Sequence, residues 1–271
     1  MKIEFREAKN VITKSKIPSI DYVINPYVGC QHSCLYCYAE FMIRFTGHKG
    51  EKWGEFLDIK TINLDKIKPQ KYDGKRILLS SVTDPYLPLE KKYQNTRKIL
   101  ERLIGTEAEI MVLTKSNLVV RDIDLFEKFS NIEVGISISS LDEKFARVVE
   151  PKASRPQARL EALKQISQTG LSTYTFVSPF FPEITDFKAI IKESVDYTDR
   201  FMFENLNFRP HNVPRILKVI EELHPELVPQ YKEIRKDRTY WDILEKEISD
   251  YCLNEKLKFR IEFHHGGFSK S

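Results

Sequence analysis

One stretch constrains this chain more than any other: Asn25-Pro26-Tyr27-Val28-Gly29-Cys30-Gln31-His32-Ser33-Cys34-Leu35-Tyr36-Cys37-Tyr38. It holds three of the four cysteines, spaced four and three residues apart. Three thiolates in so tight a loop can ligate three irons of a [4Fe-4S] cluster, which leaves one iron without a protein ligand. An open metal position is where a substrate or cofactor binds. A structural zinc site would want a fourth ligand. His32 lies between two of the cysteines, a cramped place for tetrahedral closure, and Cys252 is distant and sits in a helical pattern. An odd trio in a charged chain does not read as a disulfide framework either.

The 271 residues allow one large domain or two small ones. With 41% hydrophobic and 30% charged residues, the chain reads as soluble and globular. It has no apolar run long enough for a membrane span, and Met1-Lys2-Ile3-Glu4-Phe5-Arg6 lacks a signal-peptide core. A cytoplasmic location is therefore expected. The 43 basic and 39 acidic residues give a formal charge of +4. So mild an excess permits a nucleic-acid partner without arguing for one.

Tyr22-Val23-Ile24 is a short β-prone run broken by Asn25-Pro26, so the cysteine loop follows a first strand. Residues 39–45 read as helical. Apolar alternation predicts further strands at 56–62, 76–80, 109–113, 132–138, 173–177, 201–203 and 259–263. Helical spacing marks 89–104, where Leu89, Tyr93, Leu100, Leu103 and Ile104 share a face and Gly105 supplies a stop. Other helices are expected over 121–129, through Leu160, Leu163 and Ile166, and from a Thr185 cap through Phe187, Ile190, Ile191 and Val195. Two more fall at 214–223 and 240–252, and residues 150–156 read as a polar loop. Residues 1–21 read as an N-terminal extension to a main domain of residues 22–271. Strand and helix in regular alternation mean an α/β fold with a mainly parallel sheet. An open doubly wound sheet and a barrel both obey that order. Units of about 35 residues, with polar loops after the strands, fit a barrel whose site lies at the C-terminal strand ends.

Written as Cys30, Cys34, Tyr36 and Cys37, the central stretch resembles the Cys-x3-Cys-x-aromatic-Cys motif of the radical S-adenosylmethionine enzymes. Within that superfamily the chain resembles the spore photoproduct lyase branch and its DNA repair photolyase-like relatives. Four blocks carry this: Asn25 through Ala39, Thr83-Asp84-Pro85-Tyr86, Leu113-Thr114-Lys115-Ser116, and Ser178-Pro179 with the downstream Asp186. The resemblance implies a partial (β/α)6 TIM-like barrel of the radical SAM type. It implies a [4Fe-4S] cluster on Cys30, Cys34 and Cys37, with S-adenosyl-L-methionine bound to the open iron. It also implies reductive cleavage of that cofactor, hydrogen-atom abstraction from a substrate, and an external one-electron donor such as flavodoxin or ferredoxin.

Residue roles follow from the same resemblance. Thr83 would face the methionine end of the cofactor, Lys115 would pair with its carboxylate, and Ser137 would approach the carboxylate or ribose. A carboxylate in a partly buried pocket needs a cation or several donors. Tyr36, Ser81, Ser139 and Arg159 complete the cofactor-binding candidates; plainer readings are sheet packing, capping and a helix-surface arginine. Tyr36 and Tyr38, flanking the last cysteine, are catalytic candidates, because a phenol beside the radical source can give up a hydrogen atom. His264, in His264-His265-Gly266-Gly267 after the last strand, is a third, as an acid or base.

One departure from the lyase branch stands out. Where the lyase carries a non-cluster cysteine just before the position of Thr83, this chain has Val82, which has no thiol hydrogen to return. A lyase-type reaction on a nucleic-acid lesion is therefore one expectation among several substrates. The alternative is a non-enzymatic iron–sulfur protein for electron transfer or redox sensing, and a third is a nucleic-acid-binding protein with a structural metal.

Overall fold

In the computed structural model, which describes residues 1–263, the predicted alternation becomes two sheets. The strands are β1 (Lys2–Ala8), β2 (Ile12–Lys14), β3 (Tyr22–Ile24), β4 (Tyr27–Val28), β5 (Phe56–Ile62), β6 (Arg76–Leu79), β7 (Glu109–Thr114), β8 (Ile132–Ser137), β9 (Ser172–Phe180), β10 (Arg200–Asn205) and β11 (Phe259–Glu262). The larger sheet runs in the order β11-β10-β9-β8-β7-β6-β3-β2. All its pairs are parallel except β2, which folds back antiparallel on β3. Parallel neighbours need long crossovers, and helices supply them. The edge strands β2 and β11 do not pair, so the sheet is a partial TIM-like barrel that never closes.

Alternation along each strand separates two faces. In β7, Ile110, Val112 and Thr114 are buried toward the helices, while Glu109, Met111 and Leu113 line the lumen. In β10, Phe201 and Phe203 join the outer core, and Arg200, Met202 and Glu204 face inward. Between them, Gly135 on β8 lets the Tyr174 ring lie flat across the sheet; a Cβ there would sit 2.1 Å from that ring. Tyr174 then donates its hydroxyl to the Val112 carbonyl at 3.1 Å.

The helices are α1 (Glu90–Tyr93), α2 (Asn95–Leu103), α3 (Ile123–Phe126), α4 (Glu143–Val149), α5 (Pro156–Ser167), α6 (Phe187–Ser194), α7 (Val213–Leu223), α8 (Val228–Ile234) and α9 (Thr239–Asn254). Their buried residues share one core with the outward faces of the strands. Three differences from the sequence reading have local causes. The single helix expected over 89–104 is broken at Gln94, which is left-handed at φ 54°. The buried Glu90 carboxylate accepts from the Thr96 and Arg97 N–H groups at 3.1 and 3.3 Å, and so caps the second half. Thr185 does not cap α6: its hydroxyl is taken by Ser139 O, and Asp186 accepts from Ala189 N–H instead. Helices α4 and α8 form where no helix was expected, α4 because Asp142 caps it through Lys144 and Phe145 N–H.

The smaller sheet, β1-β5-β4, backs the cysteine loop. Tyr27 on β4 pairs with Ile59, and Gly29 follows at φ 88°. A Cβ at Gly29 would lie 2.7 Å from the Phe56 carbonyl oxygen, so glycine lets the loop start close against β5. Cys252 is buried in α9, where burial pushes its thiol up to about 11, as for an inert core cysteine.

Candidate metal centre and cofactor site

The loop after β4 turns twice to gather its sulfurs. Ser33, left-handed at φ 58°, makes the first turn, with its N–H on Cys30 O; Cys37 N–H on Cys34 O closes the second at 3.2 Å. All three cysteines are unpaired. Burial pushes each thiol up to about 12, with Asp84 adding to the rise at Cys30, Glu150 at Cys34 and Cys34 at Cys37. Thiols this reluctant to ionise become thiolates when a metal cation sits among them. The buried Trp53 Nε1 has no conventional hydrogen-bond partner, yet it lies near enough to Cys37 to favour its thiolate. Three sulfurs with a spare N–H beside them suit an iron–sulfur cluster, whose sulfurs accept such bonds.

Three tethers hold this loop over the C-terminal ends of the barrel strands. The first is Asp84, whose carboxylate faces His32 Nδ1 at 3.4 Å and accepts from Thr114 Oγ1 at 2.6 Å and Lys115 N–H at 2.9 Å. Burial alone would raise its pKa; the His32 charge and these hydrogen bonds outweigh it and hold the carboxyl at about 2. The second is the segment after α4. Val149 O accepts from Leu35 N–H at 2.9 Å, Lys152 N–H donates to His32 O at 3.3 Å, and Glu150 accepts from the Tyr36 hydroxyl. Buried Arg159 pairs with Glu150 and donates to Ser137 O at 2.9 Å and Ser154 O at 2.7 Å. Burial pushes the Glu150 carboxyl up, and Arg159, with Lys115 behind it, brings it below the usual range. The third is the loop after β10, where Asn212 Nδ2 donates to Tyr36 O at 2.8 Å and His211 Nε2 lies 3.2 Å from Cys37 O.

Below the loop the open barrel encloses a lumen of about 1370 Å³. Tyr38, Ser81, Val82, Glu204 and His211 line its upper rim, and Leu78, Met111, Phe176 and Met202 its waist. The ion pairs Arg76–Glu109 and Arg200–Glu133 lie at the strand starts. Pockets for single ligands usually span roughly 300–1,000 Å³, so this space has room for a cofactor and a substrate together.

A sequence profile of the Radical SAM superfamily matches residues 24–193, the span that builds this loop and the strands beneath it. The chain belongs to the Radical SAM superfamily. It is 40% identical over 220 residues to an uncharacterized protein of Methanocaldococcus jannaschii, covering 81% of this chain and 83% of that one. It is 22% identical over 253 residues to a radical SAM Nalpha-GlyT isomerase of Pseudomonas phage M6, covering 88% of this chain and 49% of the phage protein. Among solved structures, spore photoproduct lyase complexed with dinucleoside spore photoproduct superposes with a TM-score of 0.61 at 21% identity, over 82% of this chain and 66% of the lyase. At that identity the likeness is one of fold: a radical SAM partial barrel.

In this radical SAM chain the named residues gather at one end of the barrel. Thr83 Oγ1 donates to Gly29 O at 2.6 Å, and Lys115 Nζ stands 5.8 Å from the Tyr36 ring centre. Ser81 is held by Asn25, whose Oδ1 accepts from the Ser81 and Val82 N–H groups at 3.0 and 3.2 Å. Tyr38 donates its hydroxyl to Ser81 O. Ser137 donates to Ser178 O at 2.9 Å, Ser139 to Glu150 at 3.2 Å, and Arg159 points into the tether rather than the lumen. His264 lies outside the described residues. Sequence reasoning left out Trp53 and Asn212; neither sits in a recognisable motif, and only the fold carries them to the loop. A second cluster, Glu4, His48 and Asp58, has cation-binding chemistry, but the Arg6 guanidinium already occupies it, 2.7 Å from Asp58.

Proposed function

We propose that this protein binds a [4Fe-4S] cluster through Cys30, Cys34 and Cys37, binds S-adenosylmethionine beside it, and abstracts a hydrogen atom from a substrate held in the lumen. The observation that carries this is the convergence of the three unpaired cysteines with Ser81, Thr83 and Lys115 at the C-terminal strand ends, where Ser81, with Tyr38 and Val82, also lines one large cavity. When bound, cluster and cofactor together supply a carbon-centred radical, and the chain does the rest. Lys115 offers a cation for the cofactor carboxylate, and Ser81 and Thr83 offer hydroxyls from the end of β6. Tyr36, fixed by Glu150 and Asn212, holds the cysteine loop in place. The waist of the lumen excludes water around the substrate.

We read the substrate as nucleoside-containing, supported by the shared fold with a lyase seen bound to a dinucleoside lesion. Val82 packs against the cluster of Cys30, Ala39, Trp53 and Phe56 and offers no thiol hydrogen. Tyr38, with its phenol on the lumen rim, is then the group that returns a hydrogen atom to the substrate radical, becoming a tyrosyl radical that one electron from the external donor and one proton restore to the phenol. An electron-transfer protein would have no use for a lumen of this size.

The test is anaerobic. The reconstituted, reduced protein is given S-adenosylmethionine, and 5′-deoxyadenosine is measured by chromatography, with Cys34→Ala in parallel. Cleavage by the wild type and loss in the variant are expected, with stimulation by ultraviolet-irradiated DNA. A chain that forms a reducible cluster yet cleaves no cofactor, with or without irradiated DNA, would overturn the reading.

A further inference from the structure

The outer side of the cysteine loop, away from the lumen, is held by three segments. Ser33 Oγ donates to Trp53 O at 3.4 Å, Leu89 N–H to Gln31 Oε1 at 2.6 Å, and Lys152 N–H to His32 O at 3.3 Å. Each segment places an exposed lysine within two residues of its contact: Lys52, Lys91 and Lys152. No ion pair engages these three among the described residues, and none of them lines the lumen. The carboxylates nearby are mostly committed elsewhere. Glu51 pairs with Lys2 and His48, Glu90 is buried against Arg121, and Asp84 against His32; Glu55 is the exposed acid of this face. Next to Lys52 in the chain, the Trp53 side chain is buried in a cluster with Cys30, against which Cys37 packs.

We propose that Lys52, Lys91 and Lys152 form the docking face for an acidic one-electron carrier protein, with Trp53 as the wall between that carrier and the cysteine-bound cluster. This rests on the cluster reading above. One electron leaves the carrier, which is oxidised by one, and enters the cluster, which is reduced by one; no bond is made or broken. Complementary charge speeds encounter and sets orientation, and salt weakens both. A face outside the loop leaves the lumen free for cofactor and substrate while the electron arrives.

The experiment uses the cluster-loaded chain and a triple variant, Lys52→Glu, Lys91→Glu and Lys152→Glu, with the corresponding glutamine set as a milder second variant. Bleaching of the cluster's visible absorbance is followed by stopped flow with two reductants: reduced flavodoxin, which is acidic, and photoreduced 5-deazariboflavin, which is small and uncharged. With flavodoxin, the wild-type rate should fall as salt rises. The glutamate variant should be slower by about tenfold or more at low salt with a flattened salt dependence, and the glutamine set should fall between. With deazariboflavin all three should agree. Equal flavodoxin rates, equal losses with both reductants, or a wild type that flavodoxin cannot reduce would overturn the proposal. So would loss of binding to a single-stranded oligonucleotide with the flavodoxin rate kept, which would make this a nucleic-acid surface. A chain that assembles no reducible cluster would sink the cluster reading, and the docking face with it.

Discussion

Trp53 and Glu150 act on the same loop by different means. The Trp53 indole N–H, buried without a conventional partner beside Cys37, favours negative charge on that sulfur, and would do the same for the sulfurs of the proposed cluster. A hydrogen bond worth about 1 kcal/mol corresponds to about 40 mV for a one-electron couple, given 59 mV per tenfold. Trp53→Phe should therefore lower the cluster midpoint potential by about that much in an EPR-monitored titration; an unchanged potential would remove Trp53 from this role. Glu150 is different because it anchors a buried pair. Glu150→Gln leaves Arg159 charged and uncompensated, which costs about 3 kcal/mol or more, or about 6–12 °C in melting temperature for a chain this long. Adding Arg159→Met should recover part of that loss, whereas a further drop would show that the pair is not the cause. Neither residue was prominent in the sequence. Tyr36 and Glu150 are 114 positions apart, and Asn212 is 176 positions from the backbone it holds, so no local pattern connects them.

At the scale of elements, the junction of β8 and β9 shapes the lumen. Gly135 accepts the Tyr174 ring against its backbone, and Arg200 stacks on that ring at 4.6 Å. Gly135→Ala forces the ring away and should cost about 2 kcal/mol or more through overpacking. Urea unfolding would measure it, and Gly135→Ala with Tyr174→Leu should be milder than the single change; equal costs would show that the ring is not the obstacle. Strands β6, β7 and β10 were legible because a period of two survives in them. The break at Gln94 was not, because its stabilising partner is a side chain folded back from α1. The Thr185 cap failed for a related reason. A hydroxyl able to cap a helix is equally able to tie two loops, and Ser139 lies in reach only once β8 and β9 are paired.

For the molecule as a whole, acid stability should follow Asp84. Its carboxyl is held at about 2 in the folded chain and sits near 3.9 when unfolded, a difference of about 2 units or about 2.6 kcal/mol. The folded pKa is the lower one. Its contribution is therefore complete above pH about 4 and lost as pH falls through about 2. Asp84→Asn should be less stable than wild type at pH 6, with a gap that shrinks by pH 2.5 in urea titrations; a gap constant across that window would contradict the assignment. No described helix is long and apolar enough to cross a membrane.

The sequence by itself determined the family and the fold class: three cysteines within eight residues carry the motif of the Radical SAM superfamily, and alternating strands and helices dictate a parallel sheet. Only the tertiary structure decided where that sheet stops, because β2 and β11 are edges by virtue of what fails to pair with them. It also decided which polar groups face the lumen and which are spent on each other. Arg159, Glu150 and Ser139 look equally available in the chain, and burial makes an unpaired charge so costly that they turn to one another.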